Sequence, residues 1–155
     1  MSATFSNPEE SLAAIVLIRN AAEQRAFVTN TPGAPTQAFI ESISAKIREL
    51  LPRDPDLAQT LAETNLYIAS LLNTPLAWAS ANRSQAQVLY TMRKSVEAQQ
   101  YFEKAVQLSP QKASLRCELG QVYQQEKMTA KARSEFERCT ALRTESRPAE
   151  VNQIH

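Results

Sequence analysis

Residues 79–112, ASANRSQAQVLYTMRKSVEAQQYFEKAVQLSPQK, and residues 113–146, ASLRCELGQVYQQEKMTAKARSEFERCTALRTES, read as two versions of one 34-residue unit. Eight positions are identical: Ala79/Ala113, Ser80/Ser114, Gln87/Gln121, Val88/Val122, Ala98/Ala132, Phe102/Phe136, Glu103/Glu137 and Leu108/Leu142. Chance would give roughly two in a chain of ordinary composition. Arg93/Lys127, Ser95/Thr129 and Lys104/Arg138 keep their character as well. Each copy reads as helix, short turn, helix. Self-similarity at such a period is the mark of a stacked repeat array.

The rest of the chain agrees with an all-helical reading. Only 2 of 155 residues are glycine. Hairpin turns and phosphate-cradling loops draw heavily on glycine, so a sheet-rich fold and a nucleotide-binding loop are both disfavoured. The prolines punctuate helices. Asn7-Pro8, Asp54-Pro55, Thr74-Pro75 and Ser109-Pro110 each pair an N-cap residue with a proline suited to the first helical turn. The expected helices lie near 8–29, 36–51, 55–73, 75–91, 95–108, 110–125 and 129–143. The chain divides into a leading helix and loop (1–35), a repeat array (36–146) and a disordered tail (147–155).

Charge and composition narrow the function. Net charge is +1, which gives no footing for nucleic acid or for an anionic membrane. The charge is uneven: −3 over residues 1–75 and +4 over 76–155. The basic excess falls on Lys127, Lys131, Arg133, Arg138 and Arg143, interrupted by Glu135 and Glu137, and reads as a solvated face. No run is apolar enough to span a membrane, and the N-terminus does not read as a secretory signal. The only histidine is His155, the last residue. No metal site, catalytic base or cofactor is expected, and no enzyme. Asp54 and Asp56 flank Pro55, where capping accounts for Asp54 without a catalytic pair. Trp78 reads as packing near a helix start, with a partner-facing anchor as the alternative. Cys117 and Cys139 read as two small buried thiols in a reducing compartment, so the cytoplasm is the expected location.

The second copy carries Leu119-Gly120, Tyr123, Ala132 and Phe136; the first carries Ala98, Phe102, Ala105 and Pro110. With this spacing residues 79–146 resemble the tetratricopeptide repeat. Ala62, Leu66 and Ala69, followed by Pro75, resemble the second helix of a degenerate third unit whose first helix is 36–51. The resemblance implies an all-α fold of antiparallel helical hairpins, a short right-handed α-solenoid of about seven helices with a concave groove. It implies that Ala98, Ala132 and Gly120 permit close helix approach, Gly120 against the neighbouring unit. Phe102, Phe136 and Tyr123 then fill the space between units.

In this family the first helix of each unit lines the groove. By position that set is Ser80, Arg83, Ser84, Gln87 and Tyr90, then Ser114, Cys117, Glu118, Gln121 and Gln124. Arg83 could stand for one lysine of a carboxylate clamp, but Cys117 and Gln121 occupy places where the clamp needs Lys or Asn. The resemblance therefore implies a protein-interaction module holding an extended or helical peptide. Alternatives are a sensor portion of a larger bacterial regulator or protease, and a small secretion chaperone. The last helix leaves an edge with Phe136, Cys139 and Leu142, expected to be covered by a second copy, a partner or further chain.

Overall fold

The computed structural model describes residues 7–145. They form eight helices: α1 (Pro8–Ile15), α2 (Ala21–Asn30), α3 (Gln37–Leu50), α4 (Pro55–Leu72), α5 (Pro75–Thr91), α6 (Ser95–Leu108), α7 (Ala113–Gln125) and α8 (Thr129–Glu145). The fold is an all-α solenoid of helical hairpins. The expected tail lies outside the described residues.

Three of the four proline-led starts hold. Asn7, Asp54 and Thr74 each accept a first-turn N–H, from Glu10 at 2.8 Å, Leu57 at 3.2 Å and Ala77 at 3.2 Å. The fourth does not. Ser109 ends α6, Pro110 sits in the turn, and α7 starts at Ala113 without a side-chain cap. Two caps went unread: Asn20 accepts from Glu23 and Thr36 from Phe39. The Asn20 cap corrects the single helix expected over 8–29. There the chain breaks after Ile15, and Gln24 donates to the freed Ile18 carbonyl at 2.7 Å. Gln24 also accepts from Thr64 on α4 at 2.5 Å, so the break is held to the rest of the fold.

Packing follows chain order. α1 packs on α3, α2 on α4, α3 on α5 and α6 on α7, while α3/α4, α5/α6 and α7/α8 pair as hairpins. Two apolar cores result. The N-terminal core is built on Phe39, Ile40, Ile43, Ile47, Leu61 and Ile68. The C-terminal one holds Ala98, Phe102, Leu115, Leu119, Val122 and Tyr123. Helix α5 belongs to both: Ala77, Ala81 and Val88 face the first, Ala86 and Leu89 the second. A helix gripped from two sides needs small side chains, which accounts for its alanine and serine content.

The repeat is visible in the backbone. Arg93 and Lys127, 34 positions apart, both take φ 63° in the left-handed region. The following N–H reaches back in each case, Lys94 to the Leu89 carbonyl at 2.9 Å and Met128 to that of Tyr123 at 2.8 Å. These are matched C-terminal locks that turn one helix sharply into the next.

Gly120 corrects an expectation. It faces Phe136 of its own unit, and a Cβ there would stand 2.8 Å from the ring. Trp78 is half-buried against the N-terminal core, and its Nε1 donates to Asn73 at 3.0 Å. Asp54 caps α4 and also pairs with Arg19 at 2.9 Å. That bond, with the Leu57 N–H behind it, holds the Asp54 carboxyl below its usual range.

Candidate functional site: the α3–α5–α7 face

The residues expected to line the groove come together on α5 and α7, but several are already engaged. Ser80 is buried; its hydroxyl donates to Glu41 at 2.8 Å and accepts from Gln37 at 3.3 Å. Ser84 is buried against Ser44 at 2.9 Å. The centre of the face is Glu118. Arg83 Nε donates to its Oε1 at 2.6 Å and Arg83 Nη2 to Oε2 at 3.3 Å. Gln87 Nε2 donates to Oε2 at 2.7 Å. One carboxylate of the second unit thus ties down two side chains of the first, in a charge-assisted cluster. This neutralises Arg83, the one candidate cation for a carboxylate clamp.

Beside this cluster a recess of about 250 Å³ opens between α3, α5, α6 and α7. Phe102, Tyr90 and Leu51 supply its apolar surface; Gln87, Glu118, Gln121, Thr91 and Arg48 supply the polar part. Phe102 is buried, Tyr90 is half-buried, and Gln121 and Arg48 are exposed. Gln87 Oε1 is buried without a hydrogen-bond partner among the described residues. The recess can therefore seat an apolar side chain and meet a donor group. Gln124 is exposed but faces elsewhere, into a cleft beside α8. Arg48 was missed because the third unit matches the repeat pattern weakly.

Cys117 is not a groove thiol. It is bonded to Cys139, across α7 and α8, with Cα atoms 5.4 Å apart. This corrects the expectation of two free cysteines. The pair is 22 residues apart, and the hairpin turn brings it face to face. Cys139 is fully buried there and does not belong to the open edge. Leu142 lies by another small recess, with Pro110 and Arg116. Phe136 does border an open cleft. The solvated reading of Glu135 is also corrected: it is buried and accepts from Arg116 at 2.9 Å. Among the described residues no His, Cys, Asp and Glu group could hold a metal, and no helix is long and apolar enough to cross a membrane.

Tyr123 links the units, from α7 of the second to α6 of the first. Its hydroxyl donates to Glu103 at 2.6 Å. Burial first, then this bond, pushes its phenol well above the usual value of 10.0. The unfolded chain therefore loses this proton before the folded one. The stability is complete below about pH 10 and declines as pH rises beyond it. Denaturant melts between about pH 9 and 11 should show that decline, and Tyr123→Phe should flatten it.

The family model for the tetratricopeptide repeat matches residues 84–112 and 113–145. The first match begins within α5, where Gln85-Ala86 replaces the family's Leu-Gly. No curated protein matches the chain significantly. Two hairpins with the same turn backbone, the same Ala-x3-Phe register and this match make residues 84–145 two consecutive tetratricopeptide units.

Proposed function

We propose that the chain is a non-enzymatic interaction module whose α3–α5–α7 face holds a peptide segment. Tetratricopeptide repeats generally mediate protein–protein contact. The observation that carries the reading here is the recess beside Glu118. It combines an apolar floor with an ordered amide–carboxylate pair and one unpartnered buried acceptor. An apolar side chain enters between Tyr90, Leu51 and Phe102, while a backbone or side-chain donor reaches Gln87. Gln121 offers amide contacts to the peptide backbone. The compartment we favour is one that sustains the Cys117–Cys139 bond, an oxidising one, in place of the cytoplasm that free thiols suggested.

The test uses Tyr90 and Gln121. Alanine at Arg83 or Gln87 would instead strip partners from the Glu118 carboxylate and weaken the fold. A random peptide display library panned on the protein should enrich binders. Tyr90→Ala/Gln121→Ala should weaken them at least tenfold, with helicity by circular dichroism unchanged. Enriched peptides that bind this variant as tightly as the parent would refute the groove reading.

A further inference from the structure

Among the described residues, the second tetratricopeptide unit leaves one side open. Thr129, Ala132, Arg133, Phe136, Glu137 and Thr140 wall a cleft of about 660 Å³ beside α7. The 34-residue period maps these positions onto Ser95, Ala98, Gln99, Phe102, Glu103 and Val106 of the first unit. There the same wall is covered, and the covering element is visible: it is α7. Leu115, Leu119, Val122 and Tyr123 pack in one core with Ala98 and Phe102. Tyr123 donates to Glu103 at 2.6 Å, and Ser95 donates to Gln125. The polar anchors of that seat recur in the open copy, with Glu137 in place of Glu103 and Thr129 in place of Ser95.

We propose that this cleft receives an amphipathic α-helix from a partner protein, built like α7: apolar residues at i, i+4 and i+7, and a hydroxyl donor at i+8 directed at Glu137. The filled first cleft defines the shape and chemistry of what fits the open one. Residues 147–155 do not carry this pattern: Ala149 and Gln153 stand where Leu115 and Leu119 would be required. A second copy offers it poorly, because α7 already has these residues buried and no described helix exposes large apolar side chains at i, i+4 and i+7. This surface is separate from the α3–α5–α7 recess.

The probe is a fluorescein-labelled peptide of residues 110–126 with Cys117→Ser, titrated with the full chain and followed by anisotropy. Saturable 1:1 binding is expected. Thr140→Arg, an exposed position on the cleft wall, should weaken it at least tenfold, and Tyr123→Phe in the peptide several-fold. Tyr90→Ala/Gln121→Ala in the protein should leave it unchanged, which separates this surface from the groove. Absence of saturable binding, or binding indifferent to Thr140→Arg, overturns the proposal. So does a concentration-dependent dimer in light scattering that Thr140→Arg abolishes, because the occupant would then be a second copy.

Discussion

Phe102→Ala is expected to cost about 3–5 kcal/mol, and Phe136→Ala only about 1–2 kcal/mol, although the two occupy the same place in consecutive repeats. Phe102 is 2% exposed, enclosed by α5, α6 and α7, so its removal leaves a cavity that rigid neighbours cannot close. Phe136 has Gly120 behind it and an open cleft in front, and water can enter where its ring was. The sequence equates the two rings; only the presence of a following helix separates them. Against a total stability of about 5–15 kcal/mol, the first loss threatens the fold and the second does not. Urea titration of both variants checks the difference. Equal losses would mean that the second cleft is closed in solution.

Loss of the Cys117–Cys139 bond should be the next largest effect. A cross-link spanning 22 residues restricts the unfolded chain by about 3 kcal/mol. The bond joins the two helices of the α7/α8 hairpin, which among the described residues has a neighbouring helix on one side only. The reduced protein, or Cys117→Ser/Cys139→Ser, should therefore melt at a clearly lower temperature, with helicity lost first from α7 and α8. Calorimetry with and without a reductant would show it. A melting temperature indifferent to reductant would mean that the bond is not formed in solution.

The fold was readable where local and repeated signals coincided. Ala98, Phe102, Ala132 and Phe136 set the hairpin register, and Asn7, Asp54 and Thr74 marked helix starts. The reading failed where a distant partner decides the outcome. The break after Ile15 depends on Gln24, which reaches back to a carbonyl while gripping Thr64. Ser109-Pro110 has the composition of a helix start, yet the turn between α6 and α7 absorbs it. The candidate site was legible as a face but not as a set of free side chains. Position in the repeat places Arg83, Gln87 and Glu118 on that face, and spacing does not say that they bind one another. The disulfide was missed for a related reason. Cysteine counting judged density along the chain, whereas the pairing arises across a hairpin.

Helix α5, shared between the two apolar cores, shapes how the molecule loosens. Neither half can detach without stripping one flank of α5, so among the described residues the middle of the array is held twice while each end is held once. Local opening then runs inward from the ends, and the amide protons of α5 should be the last to exchange with solvent. A peptide seated beside Tyr90 would grip the slowest-breathing part of the chain, while the cleft beside α8 lies where the chain opens most readily.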